Sequence, residues 1–171
     1  MEKKNPLHNT HVKLLAFDLL SLTQHSSHTF SRRSIPLSRA ETLGTVTLRD
    51  HKPNTFLRFA IDDGTGCIPC ILWLNHLNSP YLARRRSPQD VRLIADLAAR
   101  AAAVIKVGVV ARVRGRISRY RSSVQITVSD VMIERDPNAE MLHWIECVNL
   151  ARNCYNVLPH SSAASSSTEV K

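Results

Sequence analysis

Residues 61–73 read IDDGTGCIPCILW, and this stretch decides the fold because two structures compete for it. CIPC has the spacing of a redox dithiol or of half a zinc site, whereas DDGTG supplies the residues of a tight turn between two strands. A thioredoxin-like dithiol opens a helix, whose N-terminus lowers the nucleophile's pKa. Here β-branched and aromatic residues follow instead. A closed structural zinc site needs four ligands, and the other two cysteines, Cys147 and Cys154, lie on a predicted helix. The stretch therefore reads as a hairpin, with Cys67 and Cys70 as free thiols in a strand and Pro69 at an unpaired edge or bulge position.

Strands extend on both sides of that turn. TFLRFAID (55–62) precedes it and CIPCILWL (67–74) follows it, while AETLGTVTLRDH (40–51) alternates as a half-buried strand with Gly44 marking a bulge or sharp bend. HKPN (51–54) is a turn. From Asp90 to Ile105, apolar residues recur at three or four positions in an Ala-rich context, which predicts a helix. Two further strands, VGVVARVRGRIS (107–118) and SVQITVSDVMIE (123–134), are rich in β-branched residues. Three strands, a helix and two strands predict a mainly β chain built on a five-stranded OB-fold barrel over 37–136, the helix between the third and fourth strands plugging one end. An open α+β sheet is the chief competitor.

The flanks read differently. HVKLLAFDLLSL (11–22) fits a helix and a strand equally, so its conformation stays open, and TQHSSHTFSRRSIP (23–36) has little to bury and is expected to be a mobile loop. Residues 1–36 form an N-terminal extension on this reading. In RDPNAEMLHWIECVNLARNCY (135–155), Asp136 is the expected N-cap and Pro137 the first helical residue. Met141, Trp144, Val148, Ala151 and Tyr155 make one stripe, widened by Ile145, that a small barrel cannot cover. A C-terminal helix within 137–157 is therefore expected to face a partner, and residues 158–171, rich in Ser, are expected to be disordered.

The 171 residues carry 23 Lys+Arg against 14 Asp+Glu, a formal net charge of +9, which favours polyanionic partners. No segment approaches the roughly 18 apolar residues of a membrane-spanning helix. Four cysteines without a secretory signal point to a reducing cytosolic or nuclear home. Only five glycines argue against a Gly-rich phosphate loop. The eight histidines are scattered, no HExxH, Walker, dinucleotide or nucleophile-elbow pattern occurs, and Asp62 and Asp63 read as turn carboxylates. No catalytic residue, metal site or cofactor is expected.

The basic residues concentrate between 84 and 121, opposed there only by Asp90 and Asp96. Along ARVRGRI (111–117), Val113 and Ile117 point one way and Arg112, Arg114 and Arg116 the other, a positive stripe on one strand face. Arg119 and Arg121 then bracket Tyr120, so that a base stacks on the ring while the cations pair phosphates. Trp73 is either a second stacking platform or a core residue.

Taken together, HVKLLAFDLLSL, LSRAETLGTVTLRDHK, FAIDDGTGCIPCILWLN, VARVRGRISRY and RDPNAEMLHWIEC resemble the small OB-fold STN subunits of the CST telomere-capping complex in their plant form. More distantly the chain is similar to the middle subunit of replication protein A. The resemblance implies a non-enzymatic, nuclear, telomeric protein that binds single-stranded G-rich DNA, with Trp73 and Tyr120 as groove aromatics. It implies a C-terminal helix packed on the small TEN subunit, a large CTC subunit completing a trimer, and support of fill-in synthesis by polymerase α–primase. Animal and fungal members carry winged-helix modules after the barrel, whereas this chain ends in a Ser-rich stretch, and at 5% aromatics its groove has few platforms.

Overall fold

A computed structural model describes residues 7, 9–26 and 29–157. A short strand β1 (His11–Lys13) and helix α1 (Ala16–Leu20) are followed by β2 (Thr23–Ser26), β3 (Thr29–Arg32) and β4 (Ile35–Leu37). Then come β5 (Arg39–Lys52), β6 (Phe56–Asp62), β7 (Cys67–Trp73), α2 (Pro80–Arg85), α3 (Pro88–Val104), β8 (Val110–Tyr120), β9 (Ser123–Ile133) and α4 (Ala139–Asn153). Strands β5–β6–β7–β9–β8 are consecutive neighbours, and β8 pairs back onto β5, which closes the barrel. Within the barrel only the β7–β9 step is parallel among the described residues, and it covers Cys70–Ile71 alone. Pro69 lies just outside that pairing.

The long strand β5 serves two neighbours. Arg39–Thr45 pairs with β8 and Thr45–Lys52 with β6, with a register shift between Val46 and Leu48. Gly44 sits at the changeover, where a Cβ would collide with the Asp62 carbonyl oxygen. The absence of a side chain is what lets the two backbones meet there.

The barrel interior holds Val46, Leu57, Phe59, Ile61, Ile68, Leu72, Val113, Ile117 and Ile126, alternating strictly with less buried residues along β6 and β8, whereas β7 buries Cys70, Ile71 and Leu72 in succession. Helix α3 closes one end with Ala98, Ala102 and the following Ile105. Arg49 holds its C-terminus by donating from Nε to the Ile105 carbonyl (2.9 Å) and from Nη2 to that of Ala102 (3.4 Å). Ser87 caps the other end by accepting from the Asp90 N–H. A second short helix, α2, precedes it.

The described residues ahead of β5 are part of this body, which corrects the expected loop. Strand β1 adds to β5 in parallel, and β2, β3 and β4 form a three-stranded antiparallel sheet. Phe30 is fully buried, and Val12, Leu14, Leu19, Ile35 and Leu37 join the same core. The hairpin between β3 and β4 turns at Arg33 and Ser34, both at positive φ (48° and 68°), the geometry of a type I′ turn without its usual glycine or asparagine. Helix α4 starts at Ala139, later than expected. Asp136 instead stabilises the preceding turn by accepting from the Asn138 N–H (2.9 Å). The expectation for 158–171 lies outside the described residues.

Candidate nucleic-acid interface

The turn at 63–66 sets the register of β6 against β7. Asp62 Oδ1 accepts from the Gly64 N–H (2.8 Å), and Asp63 Oδ1 accepts from both the N–H and the hydroxyl of Thr65 (2.9 and 2.6 Å). With the turn held, Asp62 faces Cys67, Arg58 faces Ile71 and Phe56 faces Trp73. Alternation sends Leu57 and Phe59 inward and leaves Phe56, Arg58 and Trp73 on the outer surface.

The β8–β9 hairpin brings the remaining groups to that surface. Its turn, Arg121 and Ser122, has positive φ at both residues (47° and 68°), which folds Tyr120 back toward β6. The result is a continuous ledge. Phe56 and Trp73 meet edge-to-face with centroids 6.4 Å apart, and the Arg58 guanidinium lies 4.5 Å from the Phe56 ring centre and 5.0 Å from that of Tyr120. The Arg121 guanidinium also lies over the Tyr120 ring, 5.3 Å from its centre. Trp73 is 41% exposed and Tyr120 44%, so Trp73 belongs to the surface, the alternative left open by the sequence being resolved in that direction. In a five-stranded barrel of this kind the second and third strands, with the first and last connecting loops, form the face that binds oligonucleotides.

The other arginines divide. Arg112 and Arg114 do face outward with Arg116, as alternation requires, but they are engaged by Glu41 across the β5–β8 pairing. Arg112 donates to Glu41 at 2.9 Å and to Glu134 at 3.2 Å, and Arg114 donates to the second Glu41 oxygen. Burial pushes the Glu41 carboxyl up, yet the hydrogen bonds from Arg114 and Arg112 outweigh it and hold the group below its ordinary range. These two arginines lie away from the ledge. Arg119, one residue out of phase with Tyr120, leaves the opposite side of the ribbon at its exposed end.

Cys67 and Cys70 are both free, one exposed and one buried. Three residues apart on a strand, they fall on opposite faces; Cys67 Sγ meets the Thr47 hydroxyl at 3.5 Å, while burial pushes the Cys70 thiol up. No group of three or more His, Cys, Asp or Glu side chains suited to a metal occurs among the described residues.

Helix α4 lies against the barrel through Ala139, His143 and Cys147, one residue per turn. Lys13 reaches Glu146 at 2.6 Å, and the Trp144 indole N–H donates to the Asp63 carbonyl (2.9 Å). The opposite side exposes Met141 (66%), Leu142, Ile145 (50%) and Val148, with Trp144 at the boundary. The expected stripe therefore splits. Tyr155 is in the core, where burial raises its hydroxyl to about 12, and Ala151 is half-buried against that core. Ala151 leaves the exposed set because it continues the Ala139, His143, Cys147 series by one more turn, and Tyr155 because the helix ends at Asn153 and the chain turns inward.

No protein-family model matches the chain. It is 48% identical over 154 residues to the CST complex subunit STN1 of Arabidopsis thaliana, a match that spans 88% of this chain and 95% of that protein. The chain belongs to the STN1 family of CST complex subunits. The human STN1 subunit is 26% identical over 168 residues, which are 93% of this chain and 45% of the human protein. This STN1-family chain thus spans about half the length of the animal relatives it matches. Among solved structures, the S. pombe Stn1–Ten1 complex superposes with a TM-score of 0.68 at 18% identity, covering 85% of this chain and 94% of that one. A replication protein A heterotrimer bound to single-stranded DNA gives 0.63 at 19%, covering 84% and 97%. At these identities the structures establish the shared barrel fold.

Phe56 and Arg58 are the ledge residues that sequence reasoning missed. Their signal was present: counting outward from the DDGTG turn places Phe56 opposite Trp73.

Proposed function

We propose that this STN1-family protein is a non-catalytic subunit that binds single-stranded G-rich DNA at telomeres in the nucleus. The observation that carries this reading is the ledge of Trp73, Phe56, Arg58, Tyr120 and Arg121, in which two guanidinium groups lie against the Phe56 and Tyr120 rings, on the strands that bind oligonucleotides in barrels of this kind. Bases stack on the rings, and the cations neutralise phosphates, a mode that tolerates many sequences. Arg119 adds charge at the exposed hairpin end. Arg112 and Arg114 have no part in it, because their charges are taken up by Glu41 and its neighbours. The relative bound to single-stranded DNA shares the fold and supports the reading.

Tyr120→Ala should weaken binding of a G-rich oligonucleotide by about 1–3 kcal/mol, read by fluorescence titration of the full chain. Unchanged affinity would remove the ledge from the site.

A second reading rests on a different observation, the exposed apolar side of α4 formed by Met141, Ile145, Val148 and the edge of Trp144. It is the docking face for a small OB-fold partner of the TEN type, in keeping with the partner named for the S. pombe structure. In that capacity the chain assembles with TEN and with a large CTC subunit, and so supports fill-in synthesis by polymerase α–primase. The two roles are compatible, since the ledge and the exposed side of α4 use different residues.

A further inference from the structure

Two neighbouring register rows on the outside of the sheet differ in their charge balance. In one, Lys13 of β1, Glu41 of β5, Arg114 of β8 and Asp130 of β9 lie side by side, and the signs alternate. One pleat further along the same strands lie His11, Arg39 and Arg116, followed by Thr127. This second row contains no carboxylate. Among the described residues neither Arg39 nor Arg116 takes part in an ion pair, and both are exposed. Like charges directly opposite one another on paired strands destabilise a sheet. His11 registers the crowding: burial and then the charges of Arg39 and Arg114 hold its imidazole below the ordinary value, against Glu41 and Asp130 from the neighbouring row.

The row does not stop at β9. Thr127 is the register partner of Ile71, and Ile71 that of Arg58, the guanidinium between the rings of Phe56 and Tyr120. One line of residues therefore crosses all six strands from His11 to the ledge. With neighbouring strands about 4.8 Å apart, its five steps span roughly 24 Å. The intervening positions are neutral, and the Thr127 hydroxyl shares a hydrogen bond with that of Ser118 (2.9 Å).

We propose that His11, Arg39 and Arg116 form a phosphate-binding site that continues the path of single-stranded nucleic acid from the ledge across Thr127 toward β1. This inference rests on the ledge reading above. It assigns the row to the sugar–phosphate backbone alone, without base recognition, so it adds salt-dependent affinity and length rather than sequence preference.

The test uses the full chain and two single-stranded oligonucleotides, of about 4 and about 16 nucleotides, the ends of the range that one OB fold covers. Arg39→Gln should reduce the slope of log K against log salt by about 0.7 for the longer oligonucleotide, one lost phosphate contact, and leave the shorter one unchanged. Adding Arg116→Gln, the other exposed cation of the row, should lower the longer slope again. Tyr120→Ala should weaken both lengths. An Arg39→Gln slope equal to that of the unsubstituted protein on the longer oligonucleotide overturns the site, while a Tyr120→Ala loss in the same series leaves the ledge standing. Tyr120→Ala without effect on either length removes the ledge, and the continuation falls with it. Equal thermal melting of the variants, expected for exposed Arg39, ties the slopes to binding.

Discussion

At the scale of single residues, the places where backbone meets backbone are as exacting as the ledge. Gly44 and Gly115 each face a carbonyl oxygen of the neighbouring strand, Asp62 and Thr127 respectively, closer than a Cβ tolerates. Gly115 marks the register shift in β8–β9, and Gly44 the changeover of β5 between partners. Gly44→Ala should cost about 1–3 kcal/mol or more, because the obstacle is main chain and has no flexible end to move. A lower denaturation midpoint with an unchanged m-value is the expected result, and an unchanged midpoint would show that β5 bends without that contact. Gly44 was legible in the sequence as a bend within an alternating strand, and Tyr120 as an aromatic bracketed by arginines in a loop, whereas Trp73 stood open between platform and core. Glu41 as the partner of Arg112 and Arg114 was not, since their pairing joins positions some seventy residues apart through strand closure. Alternation predicts which side an arginine faces and says nothing of what waits there.

Among the elements, α4 presses a buried histidine against the barrel. His143 is buried beneath it (1% exposed), with Nε2 3.4 Å from Cys147 Sγ and Nδ1 unpartnered among the described residues. Burial lowers its pKa below 6.5, as do Arg112 and Lys13, against the opposing pull of Glu41 and Glu146. The neutral ring is therefore the native form. Its contribution is fully present above about pH 6.5, the unfolded value, and is lost as pH falls toward the depressed folded value, because the unfolded chain binds the proton more readily. Hydrogen exchange of the α4 amides should accelerate between pH 6.5 and 5.5 after correction for the intrinsic rate. His143→Leu should flatten that dependence, and identical profiles in the two proteins would count against this histidine. The N-terminal sheet shows where element-scale reading failed. Residues 23–36 offer few apolar side chains, and their I′ turn is made by Arg33 and Ser34, so neither composition nor turn residues announced a hairpin. The β8–β9 turn at Arg121 and Ser122 is equally unmarked. There two long β-branched strands made the pairing legible anyway.

For the whole molecule, the barrel separates two surfaces by using different faces of the same strands and helices. The ledge occupies the outer side of β6, β7 and the β8–β9 turn, whereas α4 is tied to the DDGTG end through Trp144 and Asp63. The Asp63 carboxylate also accepts from the Ala16 N–H (2.7 Å), so turn, α1 and α4 are fastened at one point. This position gives α4 two working sides: Ala139, His143 and Cys147 serve the barrel, and Met141, Ile145 and Val148 stay exposed, the face proposed above for a second body. A carboxylate placed among those exposed side chains costs the isolated chain little, since each is already in water, but becomes a desolvated charge once a partner covers it. Ile145→Asp with Val148→Asp should therefore weaken association with a TEN-type subunit by at least about tenfold, measured by titration calorimetry, while the thermal midpoint of the chain alone stays within experimental error. The same variant should retain the salt slope of the isolated chain on single-stranded DNA. Undiminished association would move the partner to another face, and a collapsed slope would mean that α4 and the ledge are one surface rather than two.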